Sequence, residues 1–204
     1  SGPNSKSKSG ISAGIFAQFI MNTFPDIMIE DEGRLTNLKI RDHFFTAIFS
    51  LARFRTIKER LKMSELVEFH ANHKYLYLSI NQSQMRVLGR IVANHDKLSN
   101  ELVFDEYHKQ LKLLFKSNPR IKNIINVWMH ILGYFSNQLS SPEKVFILQK
   151  MDEYAQDIIP ASVVTELLHS LCIRFNHEYL LKQFFFNPFP KELHHIHDSA
   201  KRRI

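Results

Sequence analysis

Residues 121–139, IKNIINVWMHILGYFSNQL, carry apolar side chains on almost every side of a 3.6-residue helix. Such a helix needs lipid or other helices around most of its surface. No uninterrupted apolar run in the chain approaches the roughly 18 residues that a membrane span requires, so lipid is excluded for a helical span. The segment is therefore expected at the heart of a helical core. With 204 residues the chain is long enough to wrap such a helix in a single core, and its 17 Phe against 6 Gly and 7 Pro favour long, densely packed elements over turn-rich sheets.

The flanking sequence supplies the other helices. GIFAQFIMNTFP has helical spacing and stops at Pro25, and IEDEGRL makes a turn around Gly33. A second helix is predicted over 38–62, with Phe44, Ile48, Leu51, Phe54, Ile57 and Leu61 inward. Ser64 caps a third through Ile80, and QMRVLGRIVANH forms a fourth. In the fifth, Phe104, Tyr107, Leu111, Leu114 and Phe115 make one stripe, with Lys109, Lys112 and Lys116 on the opposite face, before Asn118 and Pro119 end it. After the central helix, Ser141, Pro142 and Glu143 start another that stops before Pro160. A helix over 161–175 turns Val164, Leu167, Leu168 and Leu171 inward. Asn176 caps the last, HEYLLKQFFF, which NPFP terminates. No period-2 strand, hairpin signal or internal repeat is present, so the expected fold is all-α, with about seven or eight helices. Residues 1–9 read as a flexible, vector-like lead, and 193–204 as a polar tail whose His194, His195 and His197 have no framework for a metal.

Charge is distributed unevenly. The net +7 resides in two segments: 53–62, with five basic residues and one acid, and 107–142, with five basic residues and no acid. Such concentration suits a polyanion, while the first cluster has a second explanation in the negative end of its own helix dipole. His70 and Lys74, four apart, form a candidate phosphate pair. His70 and His73 alone lack the third ligand that a metal site needs. Within the central helix Asn123, Asn126, His130, Tyr134 and Asn137 recur at helical spacing as a polar stripe, which either bonds across a helix interface or faces a pocket. Cys172 is the only cysteine, so this chain alone builds neither a disulfide nor a multi-cysteine iron-sulfur site, and a reducing, cytoplasmic setting is expected. No glycine-rich phosphate loop, GxSxG or HExxH is present, and no catalytic residue or metal ligand is assigned.

FHANHKYLYLSINQSQMRVLGRIVA, INVWMHILGYF, Tyr154 with Pro160, and YLLKQFFFNPFP occur in an order that resembles the YbgA-like domain family over 60–192. Upstream, GIFAQFIMNTFPDIMIEDEGRL and RDHFFTAIF look like the end of a TudS-like thiouracil desulfidase domain. The resemblance implies a remnant of that domain at 10–60 and a YbgA-like helical domain at 61–192. It carries the family's residues onto His70, Lys74, Arg86, Asn126, His130, Tyr134 and Gln183, with departures at Ile80, at Asp157 where glycine is usual, and at His169 and Ser170. It further implies an RNA-binding accessory module, with tRNA as the expected RNA and the desulfidase domain as partner. The iron-sulfur cluster would belong to that upstream domain, leaving this chain without cofactor. On this reading Lys109, Lys112, Lys116, Arg120 and Lys122 contact phosphates, with His70, Lys74 and Arg86 in support. Asn126, His130, Tyr134 and Gln183 line a pocket for a base or terminal phosphate. The alternatives are an enzyme using His130 and Tyr134 as acid-base groups, and a protein-interaction domain.

Overall fold

The computed structural model describes residues 15–24 and 27–193, and every regular element among them is a helix, with no strand. The lead at 1–9 and the tail histidines lie outside the described residues. The helices are α1 (Ile15–Thr23), α2 (Leu38–Lys58), α3 (Met63–Ile80), α4 (Gln82–Ala93), α5 (Asn100–Phe115), α6 (Ile121–Tyr134), α7 (Ser141–Ala155), α8 (Ala161–Arg174) and α9 (Glu178–Leu181).

Two hydrophobic clusters hold them together. One gathers Val127, Trp128, Ile131 and Phe135 around α6 with Ile147 and Met151 of α7 and Val164, Leu168 and Leu171 of α8. The other gathers Ala47, Leu51 and Phe54 of α2, Leu66, Phe69 and Tyr77 of α3, Leu88 of α4, and Phe104, Tyr107, Leu111 and Leu114 of α5. Helix α3 belongs to both, because its Tyr75 and Leu78 pack into the first cluster while Leu76, Tyr77 and Ile80 pack into the second. Each fully buried aromatic or aliphatic side chain contributes about 1.5–3 kcal/mol to folding. Residues 75–80 are buried without interruption, which makes α3, not α6, the central helix.

Helix α6 is instead two-sided: Ile121, Met129, His130, Gly133 and Tyr134 are exposed opposite Trp128 and Ile131. Its apparent all-round apolarity came from Ile121 and Met129, which the fold leaves in solvent. Helix ends also differ from expectation, in two places beside a left-handed residue. Helix α2 ends at Lys58 rather than residue 62, and Leu61 follows with φ 50°. Lys62, not Ser64, occupies the N-cap of α3. Helix α6 stops at Tyr134 and not at Leu139. The hydroxyl at the N-cap of α7 is that of Ser140, one residue before Ser141, in a capping box with Glu143. Asn176 has φ 46°, and His177 caps a short α9 that ends at Leu181.

Residues 182–189 then leave helical geometry and cross α3 and α2 as a strap. The Phe184 N–H donates to the Asn72 carbonyl at 2.9 Å, Arg53 donates to the Pro188 carbonyl at 2.8 Å, and Phe189 packs edge-on to Phe45. Within the N-terminal part, α2 is packed on the rest of the domain: Phe54 is fully buried against Phe69, Phe104 and Tyr107.

Candidate nucleic-acid interface

The fold separates the two basic segments by what surrounds them. In the first, Arg53 donates to the Pro188 carbonyl, Lys58 pairs with Asp105 at 2.6 Å, Arg60 with Glu65 at 2.7 Å, and Lys62 approaches Glu65 at 3.9 Å. Asp105 and Glu65 thus answer Lys58, Arg60 and Lys62, while Arg53 meets a neutral carbonyl and exposed Arg55 has no carboxylate partner among the described residues. In the second, exposed Lys109 reaches Glu106 at 3.6 Å, and Lys112 is half-buried. Lys116, Arg120 and Lys122 are exposed and have no carboxylate partner among the described residues.

Those three cations occupy the turn between α5 and α6, which is tied down from below. The Asn123 amide donates to the Ile80 carbonyl at 3.0 Å and closes the end of α3. Asn81, which caps α4 through Gln84 N–H, donates to the Ser117 hydroxyl at 3.3 Å. Gln84 also donates to the Gln110 side chain and joins α4 to α5. No side chain caps the start of α6, so the positive end of its dipole opens among Lys116, Arg120 and Lys122. Arg86 on α4 and Lys74 on α3 are exposed but make no bond to this turn.

His70 is turned inward and offers no cation to a phosphate. Its Nδ1 shares a hydrogen bond with the Tyr107 hydroxyl at 3.0 Å, and a Cβ on Gly89 would lie 3.4 Å from its Nε2. Burial, helped by the nearby Lys74 ammonium, lowers its pKa to about 4, so it is neutral at pH 7. The sequence pairing of His70 with Lys74 therefore yields one cation, not two.

The polar stripe of α6 divides. Asn123 bonds across the helix interface as above, whereas His130 and Asn137 are exposed and Asn126 is half-buried. The Tyr75 hydroxyl donates to the Tyr134 hydroxyl at 3.2 Å. Tyr134 meets His177 edge-to-face at 4.9 Å, and Tyr179 stands 6.4 Å away. Burial and the neighbouring Tyr134 raise the Tyr75 pKa, so it stays a phenol. Gln183 is 2% exposed and does not line this surface. Its amide spans two backbone groups of α3, accepting from Tyr75 N–H at 3.3 Å and donating to the Ala71 carbonyl at 2.8 Å. Among the departures, Ile80 is buried and His169 stacks on Phe186 at 4.7 Å. Asp157 takes φ 60°, the conformation that glycine adopts without strain.

Sequence reasoning missed Tyr75, Tyr179 and His177, because their meeting with Tyr134 joins three helices distant in sequence. Cys172 is buried and its thiol is pushed up to about 12 by burial, so it is not an activated nucleophile. Among the described residues no group of three metal-ligating side chains comes together, and no helix is long and apolar enough to cross a membrane.

Fold and surface together define an all-helical domain with one basic segment partly paired to carboxylates and a second whose turn cations have no carboxylate partner among the described residues. Residues 74–190 match the model of the family described as Protein of unknown function (DUF1722), and the chain belongs to that family. It is 23% identical over 161 residues to the Uncharacterized protein YbgA of Escherichia coli (strain K12), covering 78% of this chain and 95% of that protein. No solved structure matches it.

Proposed function

We propose that this chain is an RNA-binding module, with tRNA as its RNA, that serves a desulfidase-type domain acting on thiolated uridine. The observation that carries the RNA reading is the contrast between the two basic segments. Lys58, Arg60 and Lys62 spend their charge on Asp105 and Glu65, whereas Lys116, Arg120 and Lys122 are held unanswered around an uncapped helix start. Phosphate oxygens satisfy both the cations and the free N–H groups there. The partner is supported by the likeness of residues 14–35 and 41–49 to the end of a TudS-like domain, and a cytoplasmic setting by the lone cysteine.

Binding of bulk tRNA, measured by gel shift against competitor duplex DNA across a salt series, tests the reading. Each phosphate contact releases counterions, so replacing Lys116, Arg120 and Lys122 together by Gln should flatten the slope of log affinity on log salt by roughly 2 to 3, at about 0.7–0.9 per contact. An unchanged slope in a normally folded variant, or no tRNA binding by the wild type, overturns it.

A further inference from the structure

At the far end of α6 from the basic turn, an aromatic ring is left in solvent yet fixed in place. Tyr134 is 47% exposed. His177 meets it edge-to-face with an interplanar angle of 84°, and its hydroxyl accepts from Tyr75. His177 is itself held, because it caps α9 by accepting from Leu180 N–H. Tyr179 lies 6.2 Å from the Tyr75 ring and 6.4 Å from Tyr134, so three tyrosines from three helices form one patch. The Lys74 ammonium stands 6.0 Å from the Tyr75 ring and brings a cation to this end as well. An exposed ring costs little to order on binding when its neighbours already hold it.

We propose that Tyr134 is a stacking platform for one unpaired base of the bound RNA. This rests on the RNA-binding reading and adds to it the class of nucleotide recognised. A helix rises 1.5 Å per residue, so the path along α6 from Lys122 to Tyr134 is about 18 Å, room for several phosphates. A strand whose phosphates sit at the basic turn reaches Tyr134 and then meets Lys74. Aromatic faces flanked by cations suit single strands, because a base inside a duplex already has both faces covered.

The test compares wild type, Tyr134→Ala and Tyr134→Phe for binding to a short unstructured oligoribonucleotide and to the same sequence annealed as a blunt duplex. Wild type should prefer the single strand. Tyr134→Ala should lose about 5- to 100-fold in single-strand affinity, with duplex affinity unchanged. Tyr134→Phe loses the bond from Tyr75 but keeps the ring and its edge-to-face contact with His177, so it should bind the single strand far better than the Ala variant and close to wild type. Equal wild-type affinity for the two RNAs, full single-strand affinity in Tyr134→Ala, or a Phe variant as weak as the Ala variant overturns the platform and leaves RNA binding intact. A wild type that binds neither RNA overturns both. Circular dichroism melting of each variant checks folding, and Tyr134 is exposed enough for the Ala variant to retain it.

Discussion

Two histidines that look like surface ligands are structural and neutral. His73 lies between Phe69 at 4.0 Å and Phe184 at 4.3 Å, and its Nδ1 lies 2.7 Å from the Phe69 carbonyl. A carbonyl only accepts, so the proton is on Nδ1. Burial lowers the pKa of His73 to about 3, as it lowers that of His70 to about 4. Both values lie below the ordinary 6.5 of an unfolded chain, so on acidification the unfolded state takes up these protons first. Stability is therefore present above pH 6.5 and is lost as pH falls from 6.5 toward 4 for His70 and toward 3 for His73. Urea unfolding should show a loss of roughly 1 to 2 kcal/mol per histidine between pH 6.5 and 5, a range in which ordinary carboxylates change little. His70→Gln keeps a partner for Tyr107 and should remove about half of that loss. A pH-independent midpoint in the wild type would contradict the assignment. The i,i+4 spacing of His70 and Lys74 was legible, but their consequence was not. Tyr107, 37 residues away, turns His70 inward.

At the scale of elements, most helices were readable from period and punctuation, as for α5 with its stripe from Phe104 to Phe115 and its stop before Asn118 and Pro119. Their ends were less so, since Leu61, Asp157 and Asn176 turn left-handed without being glycine. The least legible element was the strap. QFFFNPFP has the apolar content of a helix, yet tertiary contacts to Asn72, Arg53 and Phe45 offset the lost helical hydrogen bonds. Gln183 opens that strap by bridging Ala71 and Tyr75, groups that an undisturbed α-helix pairs with each other. This leads to an ordered pair of expectations. Gln183→Ala lets the helix close its own bond and should cost only about 1 to 2 kcal/mol. Gln183→Glu removes the donor to Ala71 and buries a carboxylate, so it should cost clearly more, about 3 kcal/mol or beyond. Chemical denaturation of the two variants measures the order, and a Glu variant as stable as the Ala variant would refute the bridge.

The whole molecule turns on α3, which is shared by two clusters and so makes them one unit. Reading α6 as the centre was reasonable from hydropathy alone, because a sequence does not say which apolar residues the fold leaves outside, such as Ile121 and Met129. The same blindness affects the boundary drawn at residue 60. The resemblance puts α2 with the upstream domain, while packing puts it in the core: Ala47, Leu51 and Phe54 lie within the same cluster as Leu66, Phe69 and Tyr107. Removing α2 would strip those three buried side chains from α3 and α5 and expose the faces they cover. At about 1.5–3 kcal/mol for each large side chain, the loss from Leu51 and Phe54 alone is a large share of the 5–15 kcal/mol that holds a typical domain together. Lys58 would leave too, but its pair with exposed Asp105 contributes little by comparison. A fragment of residues 61–204 should therefore remain helical by far-ultraviolet circular dichroism yet melt without a cooperative transition, whereas a fragment of residues 37–204, which restores Asn37 as the cap of α2, should melt cooperatively. Equal cooperativity in the two fragments would show that the core closes without α2 and that the boundary at residue 60 separates independent units.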